Sequence, residues 1–240
     1  MTDSMQALAG SMAGDISRLT SISQNLANAT TTSYKREIAL GKMFEQRLLD
    51  AVGTAMNRPK SERSTAVDHR HGTLRQTGSP LDFAIDGDGF FEVQTEAGAA
   101  YTRRGDFQLD AAGRLATQTG HAVQGVGGPL QLNGVNPTVD RDGRVLEGEK
   151  QIGQLKIVRF ANPSQLTRAA GGMFHAVEAP LLPLDGATKI RQGHLEASNV
   201  NTAAEMVKLI ETMRHFEATQ KVVQGVDEMM ERALRKLGEF

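Results

Sequence analysis

Asp86-Gly87-Asp88-Gly89, with Glu92 shortly beyond, is the stretch of this chain best suited to metal chemistry. Alternating carboxylates are how a loop wraps calcium. The EF-hand version of that loop spreads its oxygen ligands over about twelve residues, ends on a Glu and lies between helices. Here Glu92 comes too early, and Ala84, Ile85, Phe90, Phe91 and Val93 flank the loop with strand-like apolar residues. The loop therefore reads as a turn between strands. His69 and His71 alternate, which on a strand places both imidazoles on one face, yet two ligands without a third nearby do not make a zinc site. His121, His175, His194 and His215 lie apart. Gly125-Val126-Gly127-Gly128-Pro129 lacks the Lys and Ser/Thr of a phosphate-binding loop. No Gly-x-Ser-x-Gly occurs and no Cys is available as a nucleophile. The reading is no catalytic residue, no metal and no cofactor.

Composition narrows the rest. Lys and Arg number 27 against 28 Asp and Glu, a net charge of -1, and the basic residues are scattered, which argues against a nucleic-acid partner. The absence of Cys rules out disulfides and thiolate sites. No apolar run is long enough to span a bilayer, so no membrane insertion is expected. Residues 1–14 lack the basic start and apolar block of a cleaved secretion signal.

The elements that must position any site begin at the two ends. Met206, Leu209, Met213, Phe216, Gln220, Val223, Asp227, Met230, Leu234 and Leu237 step by three and four, the narrow stripe of a helix that mates with another. Thr202 with Glu205 predicts a capping box at its start. A helix of about 35 residues would be ~50 Å long. Two readings stay open from this segment: a projecting helix that seeks a partner, or a long core helix. Met5, Leu8, Met12, Asp15, Leu19, Ile22 and Leu26 form a second stripe. Gly10 and Gly14 weaken that helix, so it needs a partner, and the C-terminal helix is the obvious one.

Between the ends the texture changes. Residues 36–58 read as a marginal helix or extended arm, and Arg58-Pro59-Lys60-Ser61 as a linker. From 66 to 198 short apolar runs alternate with Gly, Pro, Asn and Asp. Asp110-Ala111-Ala112-Gly113-Arg114 and Asp140-Arg141-Asp142-Gly143-Arg144 read as two hairpin turns of one design, with Gly113 and Gly143 at positive φ. Gln154 to Phe160 alternates like a half-buried strand, and Ala179 to Gly186 reads as an irregular loop. The expected fold is mixed α and β, with a mostly-β central domain inserted between long N- and C-terminal helices that pair as a coiled-coil-like layer. Its boundaries are 1–34 for the N-terminal helix, 35–65 for the arm, 66–198 for the β domain and 199–240 for the C-terminal helix.

Several motifs now carry a resemblance. Asn25-Leu26-Ala27-Asn28, a Thr-rich turn and Lys35 resemble the N-terminal motif of bacterial flagellar basal-body rod and hook proteins. Asp86-Gly87-Asp88-Gly89-Phe90 with its flanks, and Tyr101 to Phe107, resemble that family's central signatures. Gly193-His194-Leu195-Glu196-Ala197-Ser198-Asn199-Val200-Asn201 and Glu205-Met206 resemble its C-terminal motif. Within the family, the short length and the Val200-Asn201 pair are most similar to the proximal rod member, and next to the distal rod member.

The resemblance implies a structural subunit of the basal-body rod that polymerises through its terminal helices to transmit torque. It implies partners in other rod subunits and in copies of itself. It also implies export through the flagellar type III apparatus without a cleaved signal, and a place in the periplasm-spanning rod. The expected assembly seam is Leu8, Met12, Leu19, Ile22 and Leu26 with Met206, Leu209, Met213, Phe216, Val223, Met230 and Leu234. By motif position, Asn25 to Asn28 and Ser198 to Val200 would lie at helix–domain junctions. The competing class is an enzyme or ligand-binding β domain with a helical dimerisation arm. It would need converging titratable groups in the β region, and the sequence offers none.

Overall fold

In the computed structural model, residues 2–40, 65–134, 136–176, 179–182 and 186–237 are described. The greater part of the 35–65 arm, and the apolar pattern within it, lies outside them. The chain divides into two compact units. One comprises Met1–Ala29, Arg36–Asp68 and Val200–Phe240, and the other Thr30–Lys35 and His69–Asn199.

The first unit holds the two long helices. Helix α1 covers Thr2–Ala27 and helix α2 covers Thr202–Leu237. They pack along each other and run antiparallel, because Asp15 meets His215 while Asn25 meets Glu205. The start of α2 differs from the expected capping box. Asn201 is the cap: its Oδ1 accepts from the Ala204 N–H at 3.1 Å. Glu205 turns inward instead, where buried donors claim its carboxylate. A short antiparallel ribbon, Glu37–Ala39 with Thr65–Val67, is the remaining described element of the unit.

The second unit is mostly β. Its main sheet runs, in spatial order, Leu166–Arg168, Met173–Ala176, Gly98–Thr102, Phe90–Thr95, Ala122–Gly125, Leu115–Ala116 and Gln108–Leu109, with Ile157–Phe160 also paired to Phe90–Thr95. A three-stranded sheet is built from Thr138–Val139, Arg144–Glu147 and Lys150–Gln154. Phe83–Asp86 pairs with Lys189–Gln192, and Leu74–Gln76 with His194–Glu196. Every pairing is antiparallel, as expected where hairpin turns follow one another so closely.

Strand Phe90–Thr95 is central, and its first four residues are buried. Successive side chains point to opposite faces. Phe90 accordingly meets Phe160 and Phe174, both at 5.8 Å between ring centroids, while Phe91 meets Phe107 at 5.2 Å. Phe83, Ile85, Val93, Leu115, Val123, Val145, Leu155 and Ile190 fill the core around Phe91.

The twin turns adopt one design. In each, the first Asp accepts from two backbone N–H groups, those of Ala112 and Arg114 for Asp110 and those of Asp142 and Arg144 for Asp140. Gly113 has φ +74° and Gly143 φ +81°. The strand expected over 154–160 is interrupted. Gln154 ends one strand and Ile157 begins another, because the Leu155 N–H donates to Gly143 O and the Lys156 N–H to Gln124 O. Leu181–Leu182, expected in an irregular loop, pairs with Arg159 and Phe160.

Candidate assembly surface and buried polar clusters

The seam residues fall into two groups. On α1, Ile22 is buried and Leu8, Met12, Leu19 and Leu26 are half-buried. On α2, Leu209, Phe216 and Val223 are half-buried, but Met206, Met213 and Met230 are exposed. Leu234 lies on α2 outside the residues whose side chains are described. The covered line of α2 is Glu205, Leu209, Thr212, Phe216, Thr219, Val223 and Val226, also spaced by three and four. It is displaced by one residue from the Met206–Met213 line, and three of its members are polar.

Those polar members are satisfied. Thr212 and Thr219 each donate to the carbonyl four residues back, Lys208 O and His215 O. On α1, Asp15, Ser21 and Asn25 are buried as well. Asp15 accepts from Arg18 at 3.3 Å and contacts His215 Nδ1 at 2.5 Å. Other apolar residues take the outside of α2. Met206, Val207 and Ile210 are each more than half exposed, and Met213 nearly half. At about 100° per residue these four occupy one face of the helix. Val222 and Met229 are also exposed further along.

The motif residues of the β unit converge on a second arrangement that the sequence did not disclose. Arg103 is buried, and its guanidinium serves three segments at once. Its Nε donates to Glu196 Oε2 at 2.9 Å, and its Nη1 donates to Gly87 O at 2.8 Å and Gly89 O at 2.6 Å. Its Nη2 donates to Ile85 O at 3.2 Å and to His71 Nδ1 at 2.9 Å. Guanidinium nitrogens can only donate, so His71 Nδ1 accepts and Nε2 carries the proton toward Asp88, 3.1 Å away. The Asp86-Gly87-Asp88-Gly89 loop thus presents its carbonyls to a protein cation, with Gly87 at φ +116° and Gly89 at φ +141°. Asp86 and Asp88 face outward to Arg191 and Arg159. Among the described residues no group of three or more His, Asp or Glu could hold a metal.

Glu196 closes the cluster. Its other oxygen accepts from Lys35 Nζ at 2.6 Å and from the Gly72 N–H at 2.9 Å. Lys35 also donates to Arg70 O, and Ser33 Oγ to Arg103 O at 2.8 Å. Burial pushes the Glu196 carboxyl up, but the charges of Arg103 and Lys35, with hydrogen bonds from Lys35 and the Gly72 N–H, outweigh it and hold it below the ordinary carboxylate value. His69 lies apart from His71's partners, its ring against Phe90 and Phe174. The remaining motif residues are placed simply: Asn25 to Ala27 form the last turn of α1, Asn28 follows it with Nδ2 donating to Gln24 O, and Ser198, Asn199 and Val200 lead toward α2. Among the described residues no helix is long and apolar enough to cross a membrane.

The chain was compared with known proteins. Two family models match it: one described as flagellar basal body rod FlgEFG protein C-terminal, over residues 191–236, and one described as flagellar hook protein FlgE/F/G D1 domain, over residues 84–152. The flagellar basal-body rod protein FlgG of Buchnera aphidicola subsp. Schizaphis graminum is 34% identical, across 88% of this chain and 90% of that protein. The flagellar basal-body rod protein FlgF of Mesorhizobium japonicum is 33% identical, across 92% of each. FlgF of Escherichia coli is 33% identical, across 87% of this chain and 88% of its own.

Proposed function

Since this chain belongs to the flagellar basal-body rod protein family, a family of structural proteins not known as enzymes, we propose that it is a proximal-rod subunit that polymerises through α1 and α2 and transmits torque. The observation that carries the polymerising role is the outward apolar face of Met206, Val207, Ile210 and Met213, on a helix pair whose covered line is partly polar. Buried apolar area is the main drive for association, at about 25 cal/mol per Å². A helix that places such side chains in water gains that energy when a neighbouring subunit covers them. The same contact repeated head to tail gives an open helical array. Within this reading the two helices form one coiled-coil-like layer, and the expected seam divides into residues that join them and residues that meet neighbours.

The Val200-Asn201 pair favours the proximal over the distal position. Relatives of both kinds match at nearly equal identity, so the distal rod is the second reading. Its neighbours are then other rod subunits and further copies of itself, delivered by the flagellar type III export apparatus to the rod of the basal body. The test is deletion and complementation in the flagellated host, with the chain labelled on isolated basal bodies. Loss of swimming, restored by the chain, with label at the membrane-near end of the rod, is the expected outcome. Label at the hook-near end selects the distal reading, and normal swimming after deletion contradicts both.

A further inference from the structure

Three elements of the helical unit meet where almost no apolar core exists. Among the described residues of that unit, Ile22 is the one buried apolar side chain, and it is 7% exposed. The last turn of α1 brings Asn25, the first turns of α2 bring Glu205 and Lys208, and Arg36-Glu37 lead into the ribbon. Asn25 and Glu205 are each 1% exposed. The Asn25 amide donates to Glu37 O and accepts from Glu37 N, both at 2.8 Å, pairing with that main chain as a neighbouring strand residue would. The same Nδ2 donates to Glu205 Oε2 at 3.2 Å. Glu205 Oε1 accepts from Arg36 Nε at 2.8 Å and Lys208 Nζ at 2.9 Å. Burial pushes the Glu205 carboxyl up, yet the hydrogen bonds from Lys208 and Asn25 and the charge of Arg36 hold it below the ordinary value. Apolar contacts tolerate sliding, whereas hydrogen bonds fix distance and direction.

We propose that Asn25, Arg36 and Glu205 form a polar joint that sets the direction in which the Glu37–Ala39/Thr65–Val67 ribbon leaves the helix pair. Load on the helices then passes into the ribbon through charge-assisted hydrogen bonds. The load-bearing part rests on the reading as a rod subunit; the joint itself does not.

Hydrogen exchange on the purified full chain tests the joint. The reporter is the Asp68 amide, which donates to Arg36 O at 2.9 Å just beyond the end of the ribbon, while the Asp68 side chain is not a member of the joint. Glu205→Gln and Asn25→Ala are expected to speed its exchange about tenfold or more, the scale of losing such hydrogen bonds, while Val93 in the β unit is unchanged. Arg36→Gln removes a partly exposed member, and should speed Asp68 without speeding the amides of α2. That variant guards against the case in which Glu205→Gln loosens the whole helix pair. The Asn25→Ala/Arg36→Gln double variant should resemble the larger single, because the two residues act as one unit. Unchanged Asp68 exchange in all single variants, or strictly additive increases, overturns the joint. In cells, a Glu205→Gln strain should lose swimming speed in viscous medium more than the wild type. Normal speed there overturns the load-bearing role alone. Failure of the wild-type chain to restore swimming would remove the rod reading and leave the exchange result standing.

Discussion

The β unit buries most of its apolar residues and pairs its buried charges at the centre, while the helical unit covers a partly polar line and leaves several of its apolar side chains facing outward. Phe83, Ile85, Phe91, Val93 and Val123 are at most 2% exposed. In α2 it is Glu205, Thr212 and Thr219 that are covered, and Ile210 that is 53% exposed. A fold that is complete alone keeps apolar area from water. The β unit meets that condition at its core, with Val126, Leu181 and Leu182 as its exposed large apolar side chains among the described residues. The helix pair does not, and it is the half through which assembly is proposed.

The largest effect should come from breaking the β unit at its charged centre. Glu196→Gln leaves Arg103 and Lys35 buried without their carboxylate, and removing one partner of such a cluster costs about 3–5 kcal/mol. Denaturant unfolding of the full chain, followed by a probe in the β unit, reads this directly. A loss no larger than that of a surface pair would show that the cluster does not hold the segments together. The same centre gives a pH dependence. Glu196 in the fold is held below its ordinary value, so as pH falls the unfolded chain takes up the proton first. Its contribution is full above the ordinary carboxylate range and is lost as pH falls through the lower, folded value. Glu196→Gln should flatten the acid limb of the stability curve.

A smaller loss is expected at the twin turns. Gly113→Val and Gly143→Val each force a β-branched residue into positive φ, at ~1–3 kcal/mol. At Gly113 a Cβ would also come within 2.8 Å of Leu132 O. These losses should appear in the β unit and leave the helical signal unmoved. Smaller again is the double variant Asp86→Asn/Asp88→Asn. Its carboxylates are exposed and make surface pairs with Arg191 and Arg159, which are worth about 0–1 kcal/mol. Calorimetry with and without EDTA should show no chelator effect in the wild type. A chelator-dependent fall in Tm would reopen this loop as a calcium site.

How much of this could be read in the sequence depended on how far each interaction reaches along the chain. The Asp110 and Asp140 turns were legible because Asp, Gly and the bonded N–H groups lie within five residues of one another. The Arg103–Glu196 and Lys35–Glu196 pairs were not, being separated by 93 and 161 positions. Their one signal was a charged residue embedded in each family motif. Glu205 satisfied a local pattern, the capping box, and was taken instead by tertiary donors. The stripe on α2 shows a different limit. Periodicity finds the face that is apolar, and here part of that face is not the one covered by the chain's own partner helix. Leu209, Phe216 and Val223 serve the inner line, and Met206 and Met213 the outer.

The smallest expected change in stability accompanies the most direct test of the outward face. Ile210→Asp/Met213→Asp places two carboxylates on an exposed surface and should change the unfolding free energy of the isolated chain by no more than about 0.5 kcal/mol per site. Sedimentation velocity over a range of concentrations then compares this variant with the wild type. The account predicts that the wild type lengthens into larger species as concentration rises, while the variant, equally folded, stays a monomer. A wild type that stops at a dimer, or a variant that lengthens just as the wild type does, would contradict assembly through this face.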